Sequence, residues 1–295
     1  MICLTGDVHH TSLRINDQRY IARPSDTEIK IAARYLALVE SYGLKVTFYI
    51  CGRCFTEEWE DLAPIVKSPL VEVGGHGHRA RQPRPLFDWY GARTGNWNGP
   101  RWYQDWDIRT MSRVCEERAG YRPVSWRAHS YKVDPNTYRL LAKHGYRLVS
   151  DEVRARNVWP ERIGEGLISH PMNTIPDHDH LYHAHRTPEY VDRINAIGYG
   201  ADEFGAVSYP IERWGDLVLE RVEEIESAGG LATVLAHPLC MYLADGFKTF
   251  KRLLERFARS RCIHARDIIN IIDSDPAAGA VKGEVHYGVS RLSER

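Results

Sequence analysis

The chain has 295 residues, 26% charged and 43% apolar, which is ordinary globular composition with ample length to bury a sizeable core. Lys plus Arg and Asp plus Glu both number 39, so there is no overall electrostatic pull toward nucleic acid or anionic lipid, and neither is an expected partner. No run approaches the roughly 18 apolar residues of a membrane span, and MICLTGDV at the start lacks the basic region of a signal peptide, so a cytoplasmic protein is expected.

MICLTG predicts a first strand, and the segment 26–43 predicts a helix with Asp26 as N-cap and Gly43 as its stop. KVTFYICG (45–52) reads as a buried strand, 56–68 as a helix, and LVEVGGHGH (70–78) as a strand entering a glycine-rich turn. The insertion 83–106 gathers Trp89, Trp97, Trp102 and Trp106 among arginines. It suits either a platform for sugar rings or aromatic packing of a large loop. Residues 107–120 predict a helix, VSWRAHS (124–130) a strand end, and 134–145 a helix capped by Asp134 with Pro135 in its first turn. Strands are predicted at 146–153 and 166–172, followed by a long loop over 172–208. A strong amphipathic helix (212–230), an apolar strand ending in TVLAHP (231–238), a last clear helix (247–260) and a strand-like segment with a short helix (262–272) complete the series. This alternation calls for a parallel sheet, and about seven strands suit a barrel. One domain is expected over 1–275, with 276–295 as a C-terminal tail.

Six cysteines mostly sit inside apolar stretches. Cys51 and Cys54 have CxxC spacing, a redox pair or half of a zinc site, but no second CxxC completes it; reduced thiols are expected.

The polar, chemistry-bearing residues fall just after predicted strands: Asp7, His9 and His10; His76 and His78; Arg127 and His129; Asp151; His237. The carboxyl ends of strands form the active face of barrels and open α/β sheets. Five strand ends so equipped point to an enzyme.

Glu72–His76, the stretch VSWRAHSYKVDPNTYRLLAKHGYRLVSDE (124–152) and TVLAHP (233–238) resemble, in order, the polysaccharide deacetylases, the family-four carbohydrate esterases. The most specific part is 124–152, with Trp126, Arg127, Ala128, Asp134, Thr137, Leu140, Leu141, Gly145 and Tyr146 on the family's pattern. The resemblance implies an α/β fold of the irregular (β/α)7, TIM-like barrel type and hydrolysis of an N-acyl amide by metal-bound water. It places Asp7 as general base and His9 in a metal-ligand position that the family fills with Asp. His76 is the first histidine of the second motif. The second falls on Ala80, so His78 is the expected replacement, since residues two apart in an extended segment share a face. Three ligands, His9, His76 and His78, would hold one divalent ion, Zn²⁺ first, with Co²⁺, Mn²⁺ and Ni²⁺ as alternatives. His10 is left as a supporting residue, a fourth ligand or simply polar, and Asp7 itself could bind the ion.

The same resemblance implies that Arg127 pairs with the base and that the backbone N–H of Ser130 contacts the oxyanion. His129 stands where the family has Pro. His237 would protonate the leaving amine, tuned by Asp151 through a hydrogen bond to its imidazole. In the histidine-rich loop 169–190, His170, Asp177 and Asp179 are the best candidates for substrate contact. The expected partner is a small-molecule or saccharide substrate, a small or activated glycan precursor in view of the cytoplasmic expectation; a second copy of the chain is left open. Three rivals remain: an allantoinase-like hydrolase of small or cyclic amides and imides, a multi-metal phosphoesterase, and an inactive carbohydrate-binding relative. Ala80 motivates the first and last.

Overall fold

The computed structural model describes residues 1–13, 18–23, 25–184, 186–196 and 202–274. His185 and the tail expected at 276–295 lie outside the described residues.

β1 (Ile2–Val8), β2 (Val46–Ile50) and β3 (Val71–Gly75) are buried along their whole lengths, as strands covered on both faces must be. β4 (Ser125–Trp126), β5 (Leu148–Val149), β6 (Glu161–Arg162), β7 (Ile168–Ser169) and β10 (Ala232–Leu235) complete one sheet in the order β10-β1-β2-β3-β4-β5-β7-β6. β6 runs antiparallel to β7, while every other pairing is parallel. Removing β6 leaves seven parallel strands in a curled α/β sheet, the expected barrel strands, with a gap in the ladder between β7 and β10. Side chains bridge that gap. Asn173 Nδ2 donates to the Leu231 carbonyl (2.9 Å), its Oδ1 accepts from the Thr233 N–H (2.8 Å), and Thr174 Oγ1 donates to the Thr233 carbonyl (3.1 Å). A separate pair of short strands joins β8 (Leu181–Tyr182) to β9 (Tyr209–Pro210).

The helices largely follow the predicted pattern, with informative differences. α1 (Glu28–Ser41) is capped by Thr27, whose hydroxyl accepts from the Lys30 N–H, and not by Asp26, which pairs with Arg34. The helix expected over 56–68 is two: α2 (Gly52–Glu57) and α3 (Trp59–Val66). The insertion folds as α4 (Arg84–Thr94) and the first turns of α5 (Arg101–Ala119). α6 (Pro135–Lys143) has the predicted Asp134 cap, extended to a full capping box by Thr137. The loop 172–208 contains α7 (Asp177–His180) and α8 (Pro188–Ala196). α9 (Ile211–Ser227), α10 (Pro238–Asp245), α11 (Lys248–Phe257) and α12 (Asp267–Ser274) follow. Apolar residues of β1, β2, α1, α9 and α11 form the main core. No helix among the described residues is long and apolar enough to cross a membrane.

Candidate active site

The carboxyl ends of β1, β3, β4 and β10 bring together the histidines and the carboxylate that sequence placed there. Nε2 of His9 and Nε2 of His76 face each other at 3.1 Å, and His129 Nδ1 lies 3.5 Å from His76 Nε2. The outer nitrogens are already engaged: His76 Nδ1 is 2.7 Å from the Arg127 carbonyl and His9 Nδ1 is 2.8 Å from Glu28 Oε1. Glu28 also accepts from the His9 backbone N–H and from Gln18. An N–H at each of these outer positions leaves the two facing Nε2 atoms as bare lone pairs, which repel unless a proton or a cation lies between them. Burial and the neighbouring histidines hold His129 well below its ordinary value, and burial lowers His76 to about 3, so neither offers that proton at neutral pH. Nitrogen ligands about 2.0–2.1 Å from a tetrahedral zinc stand roughly 3.3 Å apart, close to both spacings seen here. The donor set therefore fits one divalent cation, with Glu28 and the Arg127 carbonyl orienting two of its ligands.

His78 is not part of this group. Gly77, with φ +75°, turns the chain at the end of β3 so that His78 leaves the face shared by alternate strand residues. Its ring then packs edge-on to Trp106 at 5.5 Å and beside Gly52. His78 thus drops out of the expected ligand set His9, His76, His78, and His129 stands beside His9 and His76 instead, their ring nitrogens within 4.8 Å of one another; His178, His237 and Cys240 form a second group of that kind. His129 was expected near the oxyanion. Its position follows from strand order: β4 pairs with β3 at Gly75–Trp126, so the residues after each strand end up side by side. Glu28 was missed, because nothing local marks a helix's first residue as the partner of an imidazole nineteen positions earlier.

Asp7 lies beside the cluster. Its Oδ1 accepts from Arg127 Nη1 at 2.9 Å; its Oδ2 is 3.4 Å from His237 Nε2 and 3.8 Å from His76 Nε2. Burial alone would raise the Asp7 carboxyl, but Arg127, then His76 and His237, outweigh it and hold the group well below the usual carboxylate range. Arg127 is itself fully buried, donating also to Thr5 Oγ1, Ser150 Oγ and the Ser150 carbonyl, and its guanidinium lies over the Tyr49 ring at 4.3 Å. His237, the residue before α10, feels the opposite balance. Burial would lower it, but Asp177, then Asp7, raise it well above its ordinary value. The arrangement thus sets an ionised carboxylate against a protonated imidazole.

Several expected roles change. Asp177, not Asp151, holds His237: its Oδ1 meets Nδ1 at 2.7 Å and its Oδ2 accepts the His237 backbone N–H at 2.6 Å. Asp177 is fully buried in that work, which corrects its place among substrate contacts. Asp151 instead accepts the Ala128 N–H through Oδ1, while its buried Oδ2 has no hydrogen-bond partner among the described residues; burial raises it to about 7. His170 is likewise buried, with Nε2 against the Tyr49 hydroxyl at 2.9 Å, and so is no surface for substrate. Asp179 lies 3.4 Å from Arg186. Ser130 sits in a short 3₁₀ turn, His129–Tyr131, with φ +59°, directly after His129. His10 faces away, its Nε2 3.2 Å from Glu57 and 3.4 Å from Glu58. Cys51 and Cys54 are free and buried thiols, both raised by burial, which removes a reactive pair.

A cleft opens beside the cluster, bordered by His76, Ala80, Arg81, Asn98, Tyr103 and His129.

Strand order and parallel pairing define an α/β barrel with a cluster of histidines and carboxylates at its strand ends. Residues 26–149, from α1 to β5, match the family model described as polysaccharide deacetylase. Asp7, His9 and His237 lie outside that segment. No curated protein matches the chain. Among solved structures, a putative polysaccharide deacetylase from Mycobacterium smegmatis is similar with a TM-score of 0.66 at 15% identity, over 96% of this chain and 94% of that one. PuuE allantoinase gives 0.66 at 11% identity, over 92% and 90%. A probable polysaccharide deacetylase from Pseudomonas aeruginosa PAO1 gives 0.62 at 14% identity, over 93% and 91%. At these identities the structural likenesses speak for the fold. The family match covers the segment from α1 to β5, and the structural likenesses extend the similarity of fold over nearly the whole chain.

Proposed function

We propose that this protein is a metal-dependent N-acyl amide hydrolase that deacetylates a small N-acetylated sugar or glycan precursor. One divalent cation, zinc by preference of the nitrogen donors, would be held by His9, His76 and His129. The observation that carries the reading is the pair formed by ionised Asp7 and protonated His237, 3.4 Å apart beside three converging imidazoles.

When bound, the ion would supply Lewis acidity toward the substrate carbonyl and the attacking water. Asp7 takes the proton of that water, and Arg127 keeps the carboxylate ionised and fixed in orientation. The backbone N–H at Ser130 is offered to the oxygen on which negative charge develops, where one such donor is worth roughly 3–4 kcal/mol. His237 delivers its Nε2 proton to the departing nitrogen, and Asp177 holds the imidazole by Nδ1. The three ligand histidines contain no carboxylate, so Asp7 stays available as a base.

The test is a panel of N-acetylated sugars, formamides and cyclic imides, run on metal-assayed protein. Asp7→Asn is expected to lower kcat on the N-acetylated substrate by at least about a thousandfold, with an unchanged circular dichroism spectrum. Wild-type turnover in that variant removes Asp7 from the chemistry. Hydrolysis confined to the cyclic imides would transfer the assignment to the allantoinase-like reading.

A further inference from the structure

A second group of ligand-type side chains adjoins Asp7 through His237, and the reaction uses only one member of it. His178, His237 and Cys240 each offer one ligand atom, and the three atoms lie within 4.8 Å of one another. We propose that these residues form a second divalent-cation site, for zinc or cobalt, and that an ion held there stops hydrolysis by occupying the nitrogen from which His237 delivers its proton. The inhibition rests on the hydrolase reading above; the binding does not.

Local geometry builds the group. His237 is the N-cap residue of α10 and Cys240 stands three positions on, in the first turn, where a cap and the third helical residue come together. His178 belongs to α7, and its ring centroid is 5.4 Å from that of His237. Asp177, the residue before it, fastens the two elements: its carboxylate accepts the His237 backbone N–H at 2.6 Å and meets Nδ1 at 2.7 Å. α7 is also held at its end by His180, whose ring meets the Val207 carbonyl at 2.9 Å and Asp202 at 2.8 Å. Donors fixed in this way need little reordering to receive an ion. With Nδ1 held by Asp177, the nitrogen of His237 left for an ion is Nε2, the same carboxylate–histidine arrangement that Glu28 makes with His9. Two imidazoles and a thiolate suit zinc, and three protein ligands leave one position for water. Among the described residues no other cysteine joins two imidazoles in this way. Binding exchanges protons for the ion: the Nε2 proton and the Cys240 thiol proton leave to solvent, and the nitrogen lone pair and the thiolate become ligands. A coordinated Nε2 has no proton for the departing amine, so the ion must leave before turnover. Asp7 Oδ2 lies 3.4 Å from the same nitrogen, so an ion there meets the base as well as the acid.

The experiment titrates the full chain, first stripped by a chelator, with Co²⁺ and with Zn²⁺. Co²⁺ is expected to raise a thiolate-to-cobalt absorption band in the near ultraviolet, and hydrolysis of the N-acetylated substrate should fall at least about tenfold as that band grows. Cys240→Ser keeps the size of the side chain and should lose the band. By equilibrium dialysis Cys240→Ser and His178→Gln should each bind one Zn²⁺ fewer than the wild type. The Zn²⁺ concentration that halves activity should rise at least about tenfold in both, with unchanged circular dichroism spectra. No band in the wild type, or a band that persists in Cys240→Ser, overturns the site. A band that grows without loss of activity, or the same half-inhibiting concentration in both variants, overturns the inhibition. If no N-acetylated substrate is hydrolysed at any metal content, the hydrolase reading fails, while the band and the stoichiometry still decide the site.

Discussion

Two buried aspartates, Asp177 and Asp151, carry opposite consequences for single residues. Asp177 raises His237, so the imidazolium persists above its ordinary value and is lost only as pH rises through the raised one. Asp177→Asn should therefore move the alkaline limb of kcat/KM down by at least about one pH unit; a pH–rate profile with an unmoved limb would remove Asp177 from that task. Asp151, raised by burial to about 7, works against stability at high pH. Between roughly pH 4, where an unfolded Asp releases its proton, and pH 7 the folded chain keeps that proton, so stability declines with rising pH by a few kcal/mol in all. Asp151→Asn keeps an acceptor for the Ala128 N–H without this proton. It should be more resistant to urea than the wild type at pH 8, with the difference shrinking toward pH 4. A pH-independent difference would contradict the assignment. At this scale the positions of Asp7, Arg127 and His237 were legible because Asp7 lies near the end of β1 and the other two follow β4 and β10, and a strand end is a local signal. The partner of His237 was not legible: Asp177 and Asp151 both sit in plausible places along the chain, and only folding selects between them.

The elements were legible in kind and less so in extent. The strand β3 was read through to His78 as if it stayed extended, whereas Gly77 breaks the period-two pattern, and the imidazole beside His76 is that of His129 on the turn after β4. Helices α1, α6 and α9 matched their apolar spacing closely, because amphipathic periodicity over many residues is a strong signal. The antiparallel β6 and the side-chain seam between β7 and β10 had no signature at all. That seam makes a prediction of its own. Asn173 Nδ2 donates to the Leu231 carbonyl just before β10 and its Oδ1 accepts the Thr233 N–H within β10, so Asn173→Ala strands a carbonyl and an N–H there. Unsatisfied buried groups cost about 1–3 kcal/mol each, so for the two a loss of roughly 2–6 kcal/mol should appear as a lower denaturation midpoint. A midpoint equal to the wild type's would mean that the seam does not hold the barrel closed.

For the molecule as a whole, the parallel order of strands turns residues far apart in sequence into neighbours. β1, β3, β4 and β10 deliver Asp7 and His9, His76, Arg127 and His129, and His237 to one end of the sheet. The same topology brings a third imidazole, that of His129 after the next strand, to His9 and His76 in a chain with Ala at position 80. Metal content of the purified full chain, after dialysis against a weak chelator, separates these alternatives most directly in His129→Ala and His78→Ala. His129→Ala should lose the ion at least tenfold more readily, while His78→Ala should retain it as the wild type does. Full occupancy in His129→Ala together with loss in His78→Ala would contradict the site.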